Sequence, residues 1–199
     1  MVLLRHAARA EDREATELTE INETGRKAAA LLGAAMCAVL RPADAVVLAH
    51  SPLLRCQQTA REIGAALRSH VAHCEDLGSR LFLGRWYLLN SVQALRTARR
   101  FGPQFVREWR DGGIPAEWII PFADTARGQV EGAVKELRHR SHPRLAVLVS
   151  HDWNVLAVRD HFFGKRYEEA GWIDYLEGVV ISNNGDIKLF YQTAAVPFD

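Results

Sequence analysis

Three stretches of the sequence set ionisable groups where an apolar run stops. Arg5-His6 follows "VLL", with Arg9 four positions after Arg5; Ser51 follows "DAVVLAH", with Arg55 four positions on; His151-Asp152 follows "RLAVLVS". If the three runs are parallel strands of an open α/β sheet, their carboxyl ends share one edge, where such folds bind ligands. Two histidines, two or three arginines and one carboxylic acid suit a phosphate monoester. Guanidinium forks match phosphoryl oxygens. A neutral imidazole can attack phosphorus and hold the phosphoryl group covalently. The transfer itself needs mainly charge and positioning. An acid must protonate the leaving alkoxide.

The elements that would position these groups follow from pattern. Residues 2–4 and 44–51 read as buried strands, and residues 144–152 as the clearest one. Residues 7–22 are polar and aperiodic, an ordered loop over a site. Helical spacing runs over 23–40, stopping before Pro42, and over 52–70, where Pro52 suits the first turn and Ser51 the cap. A short third strand is expected over 70–77. Residues 81–125 hold Trp86, Trp109 and Trp118 among other aromatics and read as a helical lid or insertion. Helices are expected over 124–140 and 153–164, the second closing at Gly164. Residues 175–192 form a hairpin around Asn184-Gly185. This order implies a three-layer α/β/α fold: one domain over 1–199, a mostly parallel central sheet, helices on both faces, the helical insertion and a C-terminal hairpin.

Composition narrows the setting. The chain has 199 residues, 48% hydrophobic and 25% charged, with a formal net charge of +1. That balance gives no reason to expect nucleic acid or an anionic membrane as partner. Cys37, Cys56 and Cys74 are odd in number and lack a framework spacing, which points to a reducing compartment. No apolar run is long enough for a membrane span, and Arg5 and His6 interrupt the first one, so no signal peptide is read and a cytoplasmic protein is expected. Oligomeric state is not legible.

"LLRHAAR", "SPLLRCQQTA" and "VSHDWN" together resemble the histidine phosphatase superfamily, the group that includes phosphoglycerate mutases and acid phosphatases; "LTEINETGRKAA" resembles its first helix. The likeness covers roughly 1–75 and 144–192 in the right order. It implies His6 as the nucleophile that becomes phosphorylated, and Arg5, Arg55 and His151 as ligands of the phosphoryl oxygens. The family has two proton-donor arrangements. The mutase-like one takes a Glu after the second arginine motif, nearest here to Glu75. The acid-phosphatase-like one takes an Asp directly after the second histidine, with an Arg four positions after the arginine of the first motif, which Asp152 and Arg9 match, beside Asn154. Asp152 is favoured over Glu75. Arg9, Ser51, Glu75 and Asn154 are the candidate substrate contacts. The implied activity is hydrolysis of a small-molecule phosphate ester, such as a sugar phosphate or biosynthetic intermediate. A phosphomutase and a non-catalytic phospholigand-binding protein are the alternatives. No metal or organic cofactor is implied.

Other features have plainer readings. Ala7 stands where the family has Gly, which costs little unless φ is positive there. Asp152 also suits the cap of the following helix. Cys56 reads as a small buried residue. His50, His70, His73, His139, His142 and His161 have no metal spacing, and His139 and His142 flank a basic turn. Cys74 and Arg80 have the Cys-x5-Arg spacing of cysteine-based phosphatases. Glu75 and Asp76 would set two negative charges against a phosphate there, and no clear helix follows to aim its N-terminus at the anion. Arg85, Arg96, Arg99 and Arg100 could meet a second anionic group, although charged helix faces are usually only solvated.

Overall fold

The computed structural model describes residues 1–10, 16–138, 143–184 and 186–198. Strands β1 (Val2–Arg5), β2 (Ala45–His50), β3 (His73–Ser79), β4 (Leu145–Ser150), β5 (Gly178–Asn184), β6 (Asp186–Tyr191) and β7 (Ala194–Pro197) make one sheet in the order β3-β2-β4-β1-β5-β6-β7. The first four in that order are mutually parallel; β5 joins β1 antiparallel, and β6 and β7 continue antiparallel.

Strands β1, β2 and β4, buried on both faces, read as continuous apolar runs, whereas β3 is a polar, exposed edge. Their residues alternate between two cores. Leu4, Val46, Leu48, Val147 and Val149 pack with Ala29 of α1 (Glu23–Cys37) and with Ala60, Ile63 and Leu67 of α2 (Leu54–Arg68). Leu3, Ala49 and Leu148 face the other way. There they meet α5 (Phe122–Arg138) and α6 (Asp152–Phe163), with the aromatics of the insertion. The insertion carries α3 (Ser91–Phe101) and α4 (Gln104–Arg110); Phe105 and Trp109 of α4 are buried, with Trp109 stacked on Tyr87 and Phe105 on Trp153. This is the three-layer α/β fold expected.

Local differences have physical causes. The C-terminal hairpin gains a third strand, because Tyr191 pairs with Ala194 and the chain turns back as β7. A short helix α7 (Tyr167–Ala170) precedes it. The turn residue Gly185 lies outside the described residues, as do His139 and His142 and part of the 7–22 loop. Helix α1 stops at Cys37, and its cap is Asn22, whose side chain accepts from the Gly25 N–H. A Cβ on Gly25 would meet the Ala8 carbonyl at 2.1 Å, so glycine is what lets this helix end lie against the chain leaving β1. Leu53, not Ser51, is the N-cap of α2; the Ser51 hydroxyl meets His151 and accepts from the Leu53 N–H just ahead of the helix. Among the described residues no helix is long and apolar enough to cross a membrane.

Candidate active site

Strands β2, β4 and β1 lie side by side with Arg5 opposite Ser150 and His50 opposite Val149. The next residue of each, Ser51, His151 and His6, therefore leaves the sheet at one edge. All three are buried, and Arg55 comes to them from the first turn of α2. The rings of His6 and His151 are 5.6 Å apart, edge to face.

The partners of His6 fix its tautomer. Nδ1 is 2.8 Å from the Ala7 carbonyl, which can only accept, so Nδ1 carries the proton. Nε2 accepts from Arg55 Nε at 3.1 Å and keeps its lone pair. Burial pulls the His6 pKa down to about 4; the Arg55 and Arg5 charges add to this, against the bond to Ala7 and the Asp152 charge. The ring is neutral at pH 7, as a nucleophile must be. Ala7 is fully buried, donates its N–H to Thr59 Oγ1 at 3.0 Å, and is not among the positive-φ residues, so alanine replaces glycine there without backbone strain. Thr59 and Gln58 of the second motif act as braces, Gln58 accepting from the Ile21 N–H.

Arg55 joins the two histidines. Its Nη2 lies 3.4 Å from His151 Nδ1 and its Nη1 donates to the Thr16 carbonyl at 3.0 Å. A guanidinium only donates, so His151 Nδ1 accepts and Nε2 donates to Ser51 Oγ at 2.7 Å. Burial, then the Arg55 charge, holds the His151 pKa well below the usual imidazole range. Cys56 packs its sulfur against this ring, and burial pushes its thiol up to about 12, so it stays a neutral packing group.

Arg5 and Asp152 close the other side. Arg5 Nη2 is 3.7 Å from Asp152 Oδ2, and the Asp152 side chain keeps 31% exposure. Helix α6 begins at Asp152, with His151 as its N-cap and Asp152 Oδ1 accepting from the Trp153 N–H at 2.9 Å. Two residues that sequence reasoning missed complete this wall. Trp172 Nε1 donates to Asp152 Oδ2 at 3.1 Å. The Tyr175 ring stacks 4.0 Å from the Arg5 guanidinium and 5.8 Å from the His6 ring. No sequence pattern marks them: "WIDYLEG" comes here only because the strand that follows it pairs with β1.

The remaining candidates divide. Arg9 stands close enough for its charge to act on Arg55. Arg85 acts on both Arg55 and His151 and follows Gly84, which lies against Ser51, whereas Arg96, Arg99 and Arg100 are exposed on α3. Glu75 sits on the exposed edge strand opposite Val47, three residues short of the His50 strand end, and is not brought to the cluster. Asn154 is fully buried; it donates to the Gly84 carbonyl and to Gln129 Oε1 and accepts from the Tyr87 hydroxyl, so it braces the wall from behind. Cys74 has its thiol pushed up by burial, and Arg80 is ion-paired to Glu136 at 2.9 Å, which removes the cysteine-phosphatase arrangement.

A three-layer α/β fold with two histidines and two arginines gathered at its parallel strand ends defines a histidine phosphatase-like protein. The family model of the histidine phosphatase superfamily (branch 1) matches residues 1–182, and the chain belongs to that superfamily. Its fold is similar to that of a protein described as mycobacterial hydrolase 1 (19% identity, TM-score 0.62, covering 100% of this chain and 98% of that one). It is similar also to a mycobacterial glucosyl-3-phosphoglycerate phosphatase (19%, 0.59, 92% and 90%) and to YhfR of Bacillus stearothermophilus (18%, 0.59, 92% and 91%). No curated protein matches the chain in sequence.

Proposed function

We propose that the protein is a phosphomonoesterase that hydrolyses a small-molecule phosphate ester through a phosphohistidine on His6, with Asp152 as general acid. The observation that carries this reading is the state of His6: a neutral ring, proton fixed on Nδ1, lone pair on Nε2 inside a cluster of guanidiniums. Arg5, Arg55, Arg9 and His151 bind the phosphoryl oxygens as charge builds on them. The Nε2 lone pair forms the N–P bond as the ester P–O bond breaks, and Asp152 gives its proton to the leaving oxygen. Water then attacks the phosphohistidine, Asp152 takes its proton, and inorganic phosphate leaves with His6 restored.

Hydrolysis is preferred over transfer to a second hydroxyl because Asp152 keeps about a third of its side-chain surface open to water, whereas a mutase must exclude water from the phosphoenzyme. The glucosyl-3-phosphoglycerate phosphatase among the similar folds acts on a phosphorylated sugar acid by its name, which makes sugar phosphates the first panel to try. The test is turnover of p-nitrophenyl phosphate by wild type and His6→Ala, each with and without EDTA. The expected result is EDTA-insensitive release that disappears in His6→Ala; release that survives the substitution overturns the mechanism.

A further inference from the structure

We infer that Trp172 is a positioning residue for the proton donor, its indole N–H holding the Asp152 carboxyl in one orientation toward the leaving oxygen. This rests on the reading of Asp152 as general acid.

Asp152 is held at both oxygens. Oδ1 accepts from the Trp153 backbone and Oδ2 from Trp172, with Arg5 Nη2 farther off at 3.7 Å. An indole nitrogen can only donate. It therefore occupies one lone pair of Oδ2 and blocks rotation of the carboxyl group, leaving the acidic proton the lobes that face the site. A general acid must come within hydrogen-bond reach of the departing oxygen at the moment the bond breaks, so its orientation enters the rate directly.

The segment carrying Trp172 is itself fixed to the nucleophile's strand. The Ile173 carbonyl accepts from Arg5 Nη1, the Leu176 N–H donates to the Arg5 carbonyl, and the Glu177 carbonyl accepts from the Arg5 N–H. Leu176 takes a left-handed conformation, φ 65°, rare for a branched side chain. Glu177 accepts from the Tyr191 hydroxyl and from the Asp174 N–H. On its other side the Trp172 ring packs edge-on against Tyr167 at 5.4 Å. Residues 172–177 thus form a strap across the end of β1 that meets Arg5 through three hydrogen bonds and Asp152 through one.

Trp172→Phe keeps an aromatic ring, smaller than the indole, and removes the N–H. Steady-state kinetics would compare it with wild type and Asp152→Asn on p-nitrophenyl phosphate, whose leaving group needs little protonation, and on an alkyl phosphate, whose alkoxide needs it fully. Phosphate inhibition would report whether each variant keeps its site. The expected result for Trp172→Phe is a kcat/KM, which reports only the steps up to phosphohistidine formation, lowered roughly 10- to 100-fold on the alkyl ester, with kcat/KM on the aryl ester and phosphate inhibition within about twofold of wild type. An equal loss on both substrates, or none on either, overturns the inference. If Asp152→Asn shows the selective loss and Trp172→Phe does not, the inference fails and the general acid stands. If Asp152→Asn shows no selective loss, the reading of Asp152 fails and this inference with it.

Discussion

Arg55 Nε donates to His6 Nε2 at 3.1 Å, so in the free site the nucleophilic lone pair is already engaged by a cation. The same guanidinium reaches His151 and the Thr16 carbonyl, and no carboxylate hydrogen-bonds it among the described residues. A phosphoryl group entering the cluster offers Arg55 a better acceptor and frees Nε2 to attack. Arg55→Lys keeps the charge but replaces a planar fork by a single ammonium that cannot span both rings. The expected outcome is a kcat/KM loss on the order of 10²- to 10³-fold, with the far-ultraviolet circular dichroism spectrum unchanged. Activity within threefold of wild type would mean that charge alone suffices.

The neutral histidines set a pH dependence of stability. His6 has an ordinary pKa of 6.5 when unfolded and about 4 in the fold, and His151 is displaced the same way. Between those values the unfolded chain binds more protons than the folded one, so stability falls as pH drops through that window. The slope is at most about 1.4 kcal/mol per pH unit for each histidine. Urea unfolding at pH 7, 5.5 and 4.5 should show the midpoint falling, and His6→Gln should fall less steeply than wild type. Parallel curves would contradict the assigned protonation state.

The reason these groups could be found from sequence, and others not, is geometric. Arg5, His6, Ser51, His151 and Asp152 directly follow or end runs buried on both faces, and parallel strands bring such ends together whatever their order. Arg55 is one helical turn beyond. Trp172 and Tyr175 depend on β5 pairing antiparallel with β1, a non-local choice that no periodicity encodes. Strand β7 is four residues of small and proline-containing sequence, below any pattern threshold. Asn154 stands beside Asp152 in "VSHDWN", but at 3.6 residues per turn positions i and i+2 face opposite ways. Asp152 faces the site and Asn154 the core.

Tyr175 offers its ring face, not its hydroxyl, to Arg5. Half-exposed, at 40%, it contributes a cation–π contact of about 0.5–1 kcal/mol and holds the guanidinium beside His6. Tyr175→Phe should bind inorganic phosphate or vanadate as wild type does, and Tyr175→Ala about two- to fivefold more weakly, measured as competitive inhibition. Loss in both variants would assign the role to the hydroxyl instead.

Cys74 and Arg80 supply a negative control inside the fold. A cysteine nucleophile requires a lowered thiol pKa, and here burial raises it while Arg80 is committed to Glu136. Cys74→Ser should leave kcat and KM within about twofold on p-nitrophenyl phosphate. A complete loss would reassign the chemistry.

Asn154 separates support from contact. Its amide bridges the Gly84 carbonyl, which carries Arg85 on the next residue, to Gln129 of α5, all out of solvent. Asn154→Ala leaves a buried carbonyl and a side-chain oxygen without that donor, each a desolvation cost of about 1–3 kcal/mol. A substrate ligand would behave otherwise: its loss would raise KM and leave stability nearly untouched. The expected result for Asn154→Ala is therefore a urea midpoint lowered by the equivalent of roughly 2–4 kcal/mol, with KM within about threefold of wild type for the folded fraction. A tenfold rise in KM at unchanged midpoint would move Asn154 from the core side of α6 to the substrate side, against its hydrogen bonds.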